Sequence, residues 1–200
     1  MPTTAGIVIT GADVEDAVLT HLKTWFQTYL YAIEEAQSLS YDSLPVPRGW
    51  FAVNEFDKFP DDQLPTVLVV SPGLYDEPRE EGRGRIRARW TIGVGVVVAG
   101  PDRDTTRRLS RWYIAAARLA MVQQQSLGGF STGVNWLSED YTQLDVEDAR
   151  FLAAGTANFW VEVTQAGERW EGPGSPVVSP PGDRTYDITE GSVVVDKEDL

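Results

Sequence analysis

The sequence predicts an α+β domain: a mostly antiparallel four-stranded sheet with two helices packed on one face, followed by an extended C-terminal arm. Three observations predict it. A helical apolar period runs through residues 13–37, a two-residue alternation runs through 85–98, and the composition turns to glycine, proline and acid after residue 166. The expected order is helix, strand, strand, helix, strand, strand.

Over residues 13–37, Val14, Val18, Leu22, Trp25, Tyr29 and Ile33 recur at helical spacing, with Phe26 and Leu30 widening the stripe. Asp13 is the expected cap, with Glu15 and Asp16 in a first turn that favours negative charge. Residues 38–65 carry Pro45, Pro47, Pro60 and Pro65, which break regular structure. The same stretch holds Tyr41, Trp50, Phe51, Phe56 and Phe59, so this loop is expected to pack on the domain or on a neighbouring subunit.

Residues 66–71 (TVLVVS) are a buried-strand pattern, expected to end at Pro72-Gly73. A charged loop around Pro78 should follow, up to residue 84. From 85 to 98, Ile86, Ala88, Trp90, Ile92, Val94 and Val96 alternate onto one face. Arg85, Arg87 and Arg89 share the other face with Thr91, Gly93 and Gly95, forming a basic stripe where something can approach the backbone closely.

Gly100-Pro101 ends that strand, and Asp102 or Asp104 caps a second helix running to about residue 125. Its apolar stripe is Leu109, Trp112, Tyr113, Ala116 and Ala120, and Gly128-Gly129 stops it. Residues 133–145 and 149–165 read as two strands joined by an acidic turn. In the second, Phe151, Ala153, Ala157, Phe159, Val161 and Val163 alternate with polar positions, and Trp160 stands on the polar side as an expected interface residue.

The domain organisation is thus a folded unit over residues 1–165 and a flexible acidic arm over 166–200. The arm's glycines and prolines form a linker, and its acids outnumber its bases. Val193, Val194 and Val195, after Ser192, can add as a strand to a partner's sheet edge.

Composition bounds the chemistry. Two hundred residues with 42% apolar content suffice for a core without staples. The chain has no Cys, which removes thiol nucleophiles, Cys-ligated zinc, iron–sulfur clusters and disulfides together. The net charge of −13 opposes nonspecific nucleic-acid binding and is accounted for by solubility; it does not exclude a channel through which DNA slides without being held. The N-terminus lacks the basic region of a signal peptide, and the most apolar run is about half a bilayer span, so a soluble protein without a membrane partner is expected.

Candidate catalytic motifs are weak. Gly129-Phe130-Ser131-Thr132-Gly133 matches the nucleophile-elbow pattern, but that mechanism needs a strand before the serine and a helix after it. Here the order is inverted, and the only histidine, His21, lies upstream in the first helix, where it is expected to be partly exposed. Carboxylates cluster at Asp61-Asp62, Glu139-Asp140 and Asp145/Glu147/Asp148 without a calcium-loop spacing. No catalytic, cofactor-binding or metal residue is assigned, and no enzyme is expected. The candidate contact residues are Arg85, Arg87, Arg89, Trp160, Val193, Val194 and Val195. The arginines meet a neighbour's acidic surface, line a channel, or form a solvated strand face balanced by Glu77, Glu80 and Glu81.

In this order, the long first helix, LPTVLVVSPG (64–73), a charged loop, RARWTIGVGVVVAG (87–100) with its Pro-Asp cap, TTRRLSRWYIAAARLAM (105–121) and a closing strand pair resemble the tail-terminator family of tailed bacteriophages. The resemblance covers residues 13–165 and rests on order rather than on any invariant motif. It implies a non-enzymatic virion protein at the tail–neck junction, assembled in the host cytoplasm. Such a protein forms a homo-oligomeric, hexameric ring on the head-proximal end of the tail tube. Its partners would be the tube protein and a head-closure or connector protein, with DNA passing through unbound. A head-closure or neck subunit is the alternative within that class. Outside it stands a small-molecule or peptide-binding module, which requires Trp25, Trp90, Trp112 and Trp136 to line one pocket. An enzyme would require Asp140, Asp145 and Asp148 to converge.

Overall fold

Thr10 starts the first helix, α1 (Gly11–Ala36). Its hydroxyl accepts a bond from the Asp13 N–H at 3.4 Å, and the Asp13 carboxylate accepts from the Thr10 N–H at 2.7 Å. This is a reciprocal capping box, so Asp13 is the third helical residue rather than the expected cap. Those bonds from Thr10 hold the Asp13 carboxyl below its ordinary range. The structure is a computed structural model that describes residues 9–52, 61–81, 85–147 and 150–168.

The strands are β1 (Gly49–Ala52), β2 (Thr66–Leu74), β3 (Arg79–Glu81), β4 (Arg85–Gly100), β5 (Gly133–Glu147) and β6 (Arg150–Glu168), with α2 (Arg103–Gln123) between β4 and β5. They form one six-stranded sheet in the order β1-β2-β4-β6-β5, with β3 pairing β4 beyond the reach of β2. This corrects the four-stranded, mostly antiparallel expectation. β1 runs parallel to β2, pairing Gly49 with Thr66 and Ala52 with Val69, so the sheet is mixed. The remaining pairs are antiparallel.

Both additional strands lack a periodic apolar signal. β1 sits in the proline-rich stretch read as loop, and the Arg48 and Gly49 N–H groups bond the Pro65 carbonyl at 2.8 and 3.4 Å to start its parallel pairing. β3 is Arg-Glu-Glu, placed by pairing Glu81 with Arg85 and Arg79 with Arg87 rather than by burial. β2 also outruns its expected stop. It passes Pro72 through a bulge between Val70 and Gly73 and continues to Leu74. The bulge accommodates a residue with no N–H to donate, and Gly73, at φ +140°, supplies a backbone angle that other residues avoid. The Ser71 N–H, released from the ladder, donates to the Glu15 carboxylate on α1 at 2.5 Å.

Two helices cover one face. α1 lies over β1 and β2, α2 lies over β4 and β6, and the helices pack against each other. Val14, Val18, Leu22, Phe26 and Leu30 of α1 meet Val67 and Val69 of β2 and Ile92, Val94 and Val96 of β4 in a continuous core. Tyr113, Ile114, Ala117 and Met121 of α2 join Ala157, Phe159 and Val161 of β6 in the same core. The small residue at Gly155 lets α2 approach β6: a Cβ there would lie 2.6 Å from Ile114 Cγ1. A smaller cluster, Leu64, Val97 and Leu152, lies apart from this core.

Glu34, at 2% exposure, fastens the chain leaving α1. Its carboxylate accepts from Leu44 N–H at 2.7 Å, Asp42 N–H at 3.2 Å and Ser43 hydroxyl at 3.3 Å, which satisfies a buried charge with three donors. At the start of α2, Asp102 is the cap, accepting from the Thr105 N–H at 2.8 Å and lying below its ordinary pKa for that reason.

Residues Ile7–Glu168 make one compact unit. The arm from Arg169 onward, with Val193, Val194 and Val195, lies outside the described residues. Among the described residues, no helix is long and apolar enough to cross a membrane.

Candidate functional site

The basic stripe folds onto the sheet face opposite the helices, and its chemistry is largely balanced within the chain. Arg89 of β4 donates from Nε to Glu162 Oε2 of β6 at 2.8 Å and from Nη1 to Asp76 Oδ2 at 3.2 Å. Its guanidinium also lies 4.8 Å from the centroid of the Trp160 ring. Arg87 pairs with Glu81 of β3 at 2.5 Å and more loosely with Glu162 at 3.8 Å. The bond to Glu162, then its charge and that of Asp76, push the Arg89 pKa up, so this guanidinium stays charged at any working pH. Glu162, at 9% exposure, also accepts from the Thr132 hydroxyl at 3.3 Å.

Of the expected acidic partners, Glu81 takes its place. Asp76 and Glu162 do so unforeseen, because only the β4–β6 register puts Arg89 opposite Glu162. Trp160 is half-buried beneath Arg89 and against Gly133, so contacts inside the chain account for part of its surface. Arg85 is the exposed end of the stripe, opposite Glu81 and Glu168 in the register. Gly93 and Gly95 lie on the same face with ordinary room around them.

A second surface was not singled out from the sequence. β5 is an edge strand of the sheet, and on it Trp136, Leu137 and Tyr141 are 44%, 39% and 43% exposed. Arg118 of α2 stacks over Trp136 at 4.8 Å and pairs with Glu139 at 2.7 Å, and Arg111 lies 5.6 Å from the Tyr141 centroid. The Tyr141 hydroxyl donates to Glu139 at 2.6 Å. Burial, the Glu139 bond and its negative charge push this phenol up to about 12. Alternation in β5 is interrupted by register shifts between Trp136 and Ser138 and between Gln143 and Val146, which hid the stripe from a period-two reading.

The other candidates do not assemble into chemistry. Ser131 is buried, and its hydroxyl donates to the Gln125 carbonyl, with a helix before it and β5 after it. His21 is buried rather than partly exposed; its Nε2 lies 3.1 Å from the Ala120 carbonyl, a donor geometry that fixes the neutral tautomer, and burial lowers its pKa. The four tryptophans do not share a pocket among the described residues: Trp90 is buried in the core, Trp112 packs partly buried against it, Trp25 lines a groove beside α1 with Phe130, and Trp136 stands on the β5 edge. Asp140 accepts from Asn158 at 3.4 Å on a strand face, while the Asp145 side chain and Asp148 lie outside the described residues. Among the described residues, no group of three or more His, Asp or Glu is placed to hold a metal ion.

No protein-family model matches the chain, and no curated protein matches it in sequence.

Proposed function

We propose that the chain is a tail-terminator subunit of a tailed bacteriophage. In this reading its copies form a ring, expected to be hexameric, that caps the head-proximal end of the tail tube. The ring ends tube polymerisation and joins tail to head. The observation that carries the reading is the β5 edge, where a row of half-exposed aromatic and apolar side chains lies along a strand that, among the described residues, pairs on one side only. Such a rim is costly for a lone protein and suits a contact between subunits. The charge supports the same reading. A chain of net −13 opposes tight binding of DNA passing through a ring, and Arg87 and Arg89 on the sheet face are paired with neighbouring acids.

On this reading the chain is a virion structural protein without enzymatic activity. Arg85 at the open end of the stripe and Val193, Val194 and Val195 of the arm are further contacts it offers to tube or connector subunits.

The test adds the purified chain to polymerising tube protein from the same tail. Tubes that stop at a finite length, each with a six-fold ring at one end in negative stain, are expected. An unchanged length distribution with no bound chain overturns the proposal. Binding only to the connector on the head side reassigns the chain as a head-closure subunit.

A further inference from the structure

α2 carries Arg103, Arg107 and Arg111 at four-residue spacing, which sets three guanidiniums on one side of the helix. With Tyr141 and Thr142 of β5 and Ala153 of β6 they line a recess of about 230 Å³. All three arginines are exposed, and among the described residues none forms an ion pair with a carboxylate. Arg87, Arg89 and Arg118 do form such pairs, which sets the three recess arginines apart from them. Like charges four residues apart on a helix repel, and a bound acidic group relieves that repulsion. Guanidiniums are also the side chains best shaped to take carboxylates two bonds at a time.

The acids to match them are in the chain itself. Toward the end of the arm stand Asp183, Asp187, Glu190, Asp196, Glu198 and Asp199, against only Arg184 and Lys197. The chain from residue 169 onward spans at most on the order of 100 Å, long enough to reach an adjacent copy. We infer that the recess between α2 and β5 is the docking site for the acidic C-terminal arm of a second copy, held by Arg103, Arg107 and Arg111. This contact rests on the side-by-side copies of the ring reading and names a surface between them. Duplex DNA is the competing polyanion, disfavoured by the chain's overall negative field.

The absence of native cysteine makes the test clean. Two full-length variants, Thr142→Cys in the recess and Val195→Cys in the arm, keep every charge. One carries a size tag; they are mixed and treated with a short bis-maleimide. The control replaces Thr142→Cys by Lys23→Cys, an exposed position on α1. Mixed product should exceed the control by at least about tenfold, the gain expected when docking raises local concentration. It should fall toward the control in about 1 M salt, where screening acts over about 3 Å. Adding Arg107→Glu and Arg111→Glu to the recess variant, at an unchanged thermal midpoint, should abolish the excess.

Mixed product at the control level overturns the contact, as does product indifferent to charge reversal. Salt-sensitive binding of duplex DNA that the reversal removes, while no mixed product forms, overturns it too. Native mass on the same samples keeps the two readings apart. Assembled copies without mixed product overturn the contact and leave the ring standing, whereas mixed product between chains that never assemble further supports the contact and counts against the ring.

Discussion

The two faces of the sheet are built by the same strands and held by different forces. Under the helices, β4 and β6 present Ile92, Val94, Val96, Ala157, Phe159 and Val161, all buried, and even the gap at Gly155 is set by Ile114 above it. On the other side the same strands present Arg87, Arg89, Gly93, Gly95, Asn158, Trp160 and Glu162, joined by ion pairs and one guanidinium–indole stack. Apolar burial stabilises roughly in proportion to area, while partly exposed ion pairs contribute little each. The covered face therefore carries the fold, and the open face and the β5 edge remain available for contacts with other molecules.

The sharpest way to break this comparison is Phe159→Ala, which empties a fully buried ring site in β6. A loss of about 3–5 kcal/mol in unfolding free energy by denaturant titration is expected. A loss under about 1 kcal/mol would remove the covered face as the seat of stability.

Gly155→Ala tests the approach of α2 to β6. The new Cβ would sit 2.6 Å from Ile114 Cγ1 and 3.2 Å from a Tyr141 ring carbon, so a cost of about 1–3 kcal/mol is expected. Combining it with Ile114→Ala should recover part of that cost, a coupling that a double-mutant cycle would read directly.

His21 in the helix seam sharpens the same point through pH. Its folded pKa lies below the ordinary 6.5 because burial disfavours the imidazolium. The unfolded state thus binds more protons just below that pH, so this stabilising contribution is complete above 6.5 and declines as the pH falls through the region between the unfolded and folded values. In His21→Gln, thermal midpoints from pH 7.5 downward should lose this component, and the difference from the parent chain should narrow on acidification. A difference independent of pH would mean that the histidine does not titrate on unfolding. Asp13 and Asp16 line the groove beside it, but Asp13 titrates below its ordinary 3.8, well away from this window.

Gly95→Ala, on the open face, should do least. Its Cβ would meet Leu68 at 3.5 Å, an ordinary contact, and the backbone there is not one reserved for glycine. Stability should hold or rise by up to about 1 kcal/mol in the same titration. A loss as large as that of Gly155→Ala would show the two faces to be equally constrained.

Much of this molecule was legible before its fold was known, because burial imprints a period on the chain. α1, α2 and the long strands β4 and β6 each bury one side over many residues, and the repeat of 3.6 or 2 exposes them, while β2 shows as a short apolar run. Capping was legible to within a few residues, since a cap is a local bond: Asp102 was among the expected caps, and Thr10 lies three residues before the one expected.

What only the tertiary structure decided involves partners far apart in the chain. β1 becomes a parallel strand by pairing with β2, and β3 becomes a strand through its pairing with β4, though neither carries an apolar rhythm. Glu162 finds Arg89 from 73 positions away, and His21 is buried by a carbonyl 99 positions on. The arginines of α2 were visible as residues, but that they face β5 in a recess follows only from how the helix lies on the sheet. Amino-acid spacing along the chain determined which segments could be helices and strands; the register and packing of those segments determined which charges meet, because an ion pair depends on distance in space and leaves no period in the sequence.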